Sequence, residues 1–265
     1  MELKNKKLYI FDMDGTIYLG SRVFKFAIDF INNLRNDNKQ ILFFTNNASN
    51  SPDYYYEKLT RLGFTPTRSE IMTSGDVTIE FLKRHRKDKP VYLVGTPGLE
   101  KQFTDSGIVL SDTADIVVTS FDTTLTYEKL NIACRLIRNG AEYLSTHPDY
   151  NCPVEDGFIP DSGAIAAFIT ASTGAVPTYF GKPYPQTIDM ICESTGLGKS
   201  GMCIFGDRLY TDIALGKRHG VTAVLVLSGE TTSADVDNAA AEEHPDFIFS
   251  SLNEVNQYMF GVDSK

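Results

Sequence analysis

The chain has 265 residues, 42% hydrophobic and 22% charged, a balance that provides for a substantial buried core and excludes a disordered chain. A formal net charge of −9 argues against a general affinity for nucleic acid or anionic membrane, but not against a small anion held in a locally positive pocket. Cys134, Cys152, Cys192 and Cys203 never reach a CxxC spacing, so they read as free thiols of a reducing compartment rather than a zinc site.

The basic start MELKNKK is followed only by LYIF before Asp12, too short for a signal sequence, and no stretch is apolar enough to span a membrane. A cytoplasmic protein is expected. LYIF is a short buried strand that ends at Asp12 and Asp14. Phe26, Ile28, Phe30, Ile31 and Leu34 recur at helical spacing over 24–35. QILFFTNN is a second strand ending in polar residues. SPDYYYEKLTRLG opens with Ser51 and Pro52 and closes at Gly63, a helix with both its start and stop signals. A short strand EIMTS and a helix near Asp76 follow.

The alternation continues with strands PVYLVG and ADIVVTSF, the helix YEKLNIACRLIRNG, the strand AEYLSTHPD and the helix SGAIAAFITASTG. Beyond Pro177 come the helix PYPQTIDMICESTG, the strand MCIFGDR, the helix YTDIALGKRHG and the strand VTAVLVLSG. Strands alternating with helices predict the α/β class with parallel sheets. YIFD, LFFTNN and CIFGD each run apolar residues straight into a polar cluster, and ligands of open α/β sheets bind at the carboxyl ends of strands. These ends, from opposite parts of the chain, are expected to meet in one domain.

Asp12 and Asp14 repel each other and resist desolvation, so something positive is needed beside them. An Asp-x-Asp-Gly surface turn is the plain alternative; at the end of a buried strand, a hard cation such as Mg²⁺, which takes oxygen ligands, is the better fit. Asp207 ends another buried strand. Asp212, five residues on, also reads as a helix N-terminal acid. Thr45, Asn46 and Asn47 offer a hydroxyl and amides, though Asn-Asn is also an ordinary turn pair. Lys182 precedes a helix N-terminus that itself attracts anions, and alone it reads as a solvated lysine. TGLGKSG imitates the end of a P-loop, but the first glycine of that motif falls on Glu193 and the segment follows a helix, so it is rejected.

In this order, DMDGT, FFTNN, Lys182 and GDRLYTD resemble the four motifs of the haloacid dehalogenase (HAD) superfamily. VTSFDTTLTYEKLNIA and STHPDYNCPVEDGFIPDSGAIAA resemble its NagD-like, or p-nitrophenylphosphatase-like, branch, so the likeness spans nearly the whole chain. It implies a Rossmann-like core over 1–77 and 178–265 and a large inserted α/β cap over 78–177 that sets specificity. It further implies that Asp12 is the nucleophile and a Mg²⁺ ligand, and that Asp14 is the general acid–base and lends its carbonyl to the metal. Asp207 would be the third protein ligand, with Asp212 in the outer sphere. Thr45, Asn46, Asn47 and Lys182 would hold the phosphoryl group. His147 stands where the branch usually has Asn, so it is carried as a substrate contact, with a turn or capping role as the alternative; Asp149 is expected to be structural.

The expected function is Mg²⁺-dependent hydrolysis of a small phosphorylated metabolite through an aspartyl-phosphate, with no nucleic-acid or membrane partner and with homo-oligomerisation possible. A phosphomutase or phosphotransferase, and a non-catalytic binding protein on the same fold, are the alternatives. The retained Asp12, Asp14, Lys182 and Asp207 argue against the last.

Overall fold

The computed structural model describes residues 2–154 and 157–261. The chain forms two compact units, one comprising residues 1–45, 55–72 and 191–265, the other residues 46–54 and 73–190. Residues 46–54, 73–77 and 178–190, which the boundaries at 77/78 and 177/178 leave outside the inserted segment, pack with the second unit.

In the first unit, LYIF and MCIFG are buried at every position, the mark of inner strands covered on both faces. They lie at the centre of a six-stranded sheet whose order is Phe247–Phe249, Thr222–Val226, Met202–Gly206, Leu8–Phe11, Gln40–Thr45, Ile71–Thr73. Leu8–Phe11 pairs parallel with both neighbours, Phe11 lying opposite Phe205 on one side and Phe43 on the other. The Phe11 ring stacks on Phe205 at 4.9 Å and meets the edge of Phe30 at 6.0 Å. Phe30 comes from the Lys25–Asn36 helix, which buries Phe30, Ile31 and Leu34 as its periodicity predicts, together with Ala27, while Phe26 and Ile28 are only partly buried. Each buried Phe, Ile or Leu side chain among these contributes roughly 1.5–3 kcal/mol of transfer free energy, which fixes the strands whose ends carry the motifs.

The sequence reading has no counterpart for the Phe247–Phe249 strand or the Leu252–Phe260 helix. The helix expected from Tyr210 differs too. Leu209–Ile213 is a π-helical turn, and the α-helix proper is Ala214–His219. The amides of Asp212 and Ile213 both reach the Arg208 carbonyl, at 3.1 and 3.2 Å. This widened turn points Asp212 back towards Gly206, as such single turns do at functional sites.

The second unit has a parallel sheet in the order Thr178–Tyr179, Glu142–Ser145, Ile116–Thr119, Val91–Val94, joined by helices that include Tyr127–Arg138 and Ser162–Thr173. Besides the Thr178–Tyr179 strand, a helix and a hairpin have no counterpart in the sequence reading. The Pro97–Asp105 helix is capped by Thr96, whose hydroxyl accepts from the Leu99 amide. An antiparallel hairpin pairs Asn151–Val154 with Gly157–Pro160.

Candidate active site

From Leu8–Phe11 the sheet grows one way, to Gln40–Thr45 and Ile71–Thr73; from Met202–Gly206 it grows the other. Between those two central strands the direction reverses, and at such a reversal an open α/β sheet has its ligand crevice, outside the carboxyl ends. Asp12 and Asp207 leave the sheet on either side of it. The Asp12 amide continues the ladder to the Phe205 carbonyl at 2.9 Å. One carboxylate oxygen from each of Asp12, Asp207 and Asp212 lies within 4.8 Å of the others, with Asp12 half-buried and the other two buried. Asp14 is exposed, in a turn closed by the Gly15 amide on the Tyr18 carbonyl at 2.7 Å. Thr45, half-buried, ends the neighbouring strand.

Three glycines make room for this cluster. A β-carbon on Gly15 or Gly229 would overlap the Asp207 carboxylate, and one on Gly206 would overlap Asp212. Asp207 is held in that space by the Glu230 amide, which donates to its Oδ2 at 2.7 Å, while its own carbonyl accepts from the Thr231 amide at 3.2 Å.

Arg208, not singled out by the sequence reading, is the counter-charge. Its Nε lies 2.9 Å from Glu230 Oε2, and Tyr210 donates to the other Glu230 oxygen at 2.9 Å. Burial disfavours the guanidinium charge, but Asp12, Tyr210, Asp207 and Glu230 around it outweigh burial and hold its pKa above the usual arginine range. The one signal in the sequence was its position directly after Asp207. Lys58 is a second unforeseen cation, its ammonium 4.0 Å over the Tyr18 ring. Burial lowers its pKa, and the charge of Asp14 pulls it partly back.

With three carboxylates converging and no sulfur or imidazole among them, the donor set suits a hard, oxygen-seeking divalent cation. The space around it is kept by glycine backbone. These residues therefore fit magnesium.

The other motif residues belong to the second unit. Asn46 is the next residue after Thr45, and its side chain clasps Lys182: Oδ1 accepts from the Lys182 amide at 2.7 Å and Nδ2 donates to the Lys182 carbonyl at 2.9 Å. The same Nδ2 donates to Asp149 Oδ2 at 3.0 Å, giving Asp149 a structural contact. Lys182 is buried. Asn47 Oδ1 accepts from the amide and hydroxyl of Ser49, at 2.9 and 2.7 Å, which closes a tight turn. His147 is fully buried, with both ring nitrogens engaged inside the unit, by Thr146 and Asp161.

Residues 9–109 match the haloacid dehalogenase-like hydrolase family, and residues 179–255 match a HAD-hydrolase-like family. An acid sugar phosphatase of Staphylococcus saprophyticus is 36% identical over 255 residues, covering 96% of this chain and 98% of its own. The crystal structure of a 4-nitrophenylphosphatase from Thermotoga maritima superimposes with a TM-score of 0.92 at 43% identity, over 97% of this chain and 98% of that one. A glycerol phosphate phosphatase of Mycobacterium tuberculosis, crystallised with magnesium, aligns with a TM-score of 0.86 at 28% identity, over 94% of this chain and 75% of its own.

Proposed function

The chain belongs to the haloacid dehalogenase superfamily, in its NagD-like branch, and is a phosphoric monoester hydrolase; from that premise we propose that it hydrolyses a small sugar or polyol phosphate, with Mg²⁺, through an aspartyl-phosphate on Asp12. The observation that carries the reading is the convergence of Asp12, Asp207 and Asp212 within 4.8 Å at the reversal point of the sheet. A sugar phosphate is favoured because the Staphylococcus relative is an acid sugar phosphatase.

In the first half-reaction an Asp12 carboxylate oxygen attacks phosphorus, and the bond from phosphorus to the leaving alcohol breaks. Asp14, exposed two residues on, gives that alkoxide its proton. In the second half-reaction Asp14 takes a proton from water as the water attacks phosphorus, and the Asp12–phosphate bond breaks to release inorganic phosphate. Splitting one displacement into two is what covalent catalysis offers here. Magnesium held by the Asp12 and Asp207 carboxylates and the Asp14 carbonyl, with Asp212 in support, would neutralise charge on the transferring phosphoryl group. Thr45 and the Asn46–Asn47 segment hold phosphoryl oxygens, and Lys182 supplies a further positive charge. In this proposal residues 1–77 and 178–265 carry the chemistry and 78–177 select the substrate.

The test is phosphate release from p-nitrophenyl phosphate and a panel of sugar and polyol phosphates, with Mg²⁺ and with EDTA. Wild type should turn over only with metal, with sugar phosphates among its better substrates, and Asp12→Asn should lose turnover. Equal rates in EDTA, or an active Asp12→Asn variant, would overturn the metal or the covalent assignment respectively.

A further inference from the structure

His147 sits at the centre of a polar cluster that the mechanism above leaves unused. Nδ1 lies 2.9 Å from Thr146 Oγ1 and 3.4 Å from Ser74 Oγ, and Nε2 lies 2.8 Å from Asp161 Oδ1. The protons of these groups can be assigned by counting. Thr146 spends its one hydroxyl proton on Ser120 Oγ, 2.9 Å away, and Ser74 spends its own on the Asn46 carbonyl. With those protons so placed, both oxygens face His147 as acceptors, and a proton on Nδ1 completes the pattern. Asp161 Oδ1 already accepts the Ser162 amide as N-cap of the Ser162–Thr173 helix, so it too is an acceptor and Nε2 carries a proton. With two ring protons, His147 is an imidazolium buried inside the unit. The net electrostatic balance agrees: burial opposes the charge, but Asp161, with its hydrogen bond, and Asp149 raise the His147 pKa above its ordinary value.

This cation backs the segment that carries Lys182. Gly181 has φ +74°, and a β-carbon there would stand 2.8 Å from both His147 Cβ and Asn46 Oδ1, and 3.0 Å from the Thr146 carbonyl. On the other side, Asn46 clasps the Lys182 amide and carbonyl, and the backbone of Asn46 is itself tied down by Ser74. Ser74 in turn accepts from His147. The charged groups acting on the ring are Asp161 from the helix cap and Asp149 from its own loop.

We propose that His147, as an imidazolium between Asp161 and the Thr146–Ser74 hydroxyls, is the positioning residue that fixes the Gly181–Lys182 segment for phosphate binding. This rests on Lys182 being a phosphate-binding group. His147 acts through Lys182 and need not touch the substrate.

The test compares wild type with His147→Gln, which can donate to one side without charge, and with His147→Ala, in the full chain. One readout is hydrogen exchange of the Lys182 amide, whose acceptor is Asn46 Oδ1; the other is the pH profile of KM and kcat with Mg²⁺ and p-nitrophenyl phosphate. His147→Ala should speed exchange at Lys182 and raise KM roughly tenfold, as expected for losing one charged hydrogen bond, with kcat changed less and His147→Gln intermediate. Wild type should lose affinity for substrate on the alkaline side of pH 6.5, and His147→Gln should lack that limb. If His147→Ala does not fold, His147→Gln and Asp161→Asn carry the same comparisons. Reduced thermal stability with wild-type exchange at Lys182 and a wild-type pH profile would make His147 merely structural and overturn the proposal. A wild type without phosphatase activity would overturn the functional reading instead, and the exchange measurement would still decide the positioning role.

Discussion

Two glycine-to-alanine substitutions differ in a single physical variable. Neither Gly229 nor Gly198 has a left-handed φ, so alanine suits both backbones. A β-carbon on Gly198 meets nothing within 4 Å, whereas on Gly229 it overlaps the carboxylate of Asp207, a side chain only 2% exposed. Gly198→Ala should be neutral or stabilise by up to about 1 kcal/mol, through lost freedom of the unfolded chain. In Gly229→Ala either the carboxylate or the loop must move. Overpacking typically costs about 1–3 kcal/mol, and any movement strains the 2.7 Å bond from the Glu230 amide to Asp207, a charge-assisted contact of about 1.5–3 kcal/mol. Partial relaxation brings the expected loss to about 2–4 kcal/mol. Displacing a ligand's support should also weaken Mg²⁺ about 10–100-fold. Urea unfolding in EDTA gives the first quantity and calorimetric Mg²⁺ titration the second. If Gly229→Ala matches Gly198→Ala in stability and wild type in Mg²⁺ affinity, the close-packed glycine cradle has no role in holding Asp207.

Saturating Mg²⁺ should raise the unfolding free energy by about 2.7 kcal/mol at one hundred times its Kd, read as a shift in urea midpoint that Asp207→Asn abolishes. Arg208→Met should destabilise the EDTA-treated protein by about 1–2 kcal/mol, because Asp12 and Asp207 lose their counter-charge. With Mg²⁺ the deficit should shrink, and an unchanged deficit would refute that role. The His147 pKa is raised on folding, so its contribution to stability is fully present below pH 6.5 and is lost as pH rises through the folded value. Urea midpoints of wild type and His147→Gln measured from pH 5 to 9 should therefore converge on the alkaline side.

Asp12, Thr45 and Asp207 were legible because each follows a run of strand residues buried on both faces, and that pattern survives in one dimension. The adjacency of their strands is confirmed by the pairing of Phe11 with Phe43 and with Phe205. Asp212 reads from the motif as an outer residue, and nothing in the spacing announces the π turn that folds it back beside Gly206. His147 carries no local sign of its burial, since its partners Asp161 and Ser74 lie 14 and 73 residues away. Arg208 is hidden for a related reason: an arginine after a motif aspartate looks solvated until Glu230 and Tyr210 are seen to enclose it. The Phe247–Phe249 strand is short, half-exposed and flanked by polar residues, too weak a pattern to stand out.

The one-to-one pairing of Leu8–Phe11 with both neighbouring strands has a consequence for how the molecule reaches its working form. Strands are spaced about 4.8 Å apart, so the sheet itself is the ruler that sets the acidic residues at metal-binding separation. A slip by one residue on either side would move a phenylalanine to the opposite face of the sheet, away from the rings it packs against, and carry an aspartate out of reach of its partners. The apolar interior and the carboxylate cluster thus demand the same alignment, and a mispaired chain would lose both together. Metal uptake during refolding would then report correct strand alignment, arriving only with the last of the buried aromatic packing.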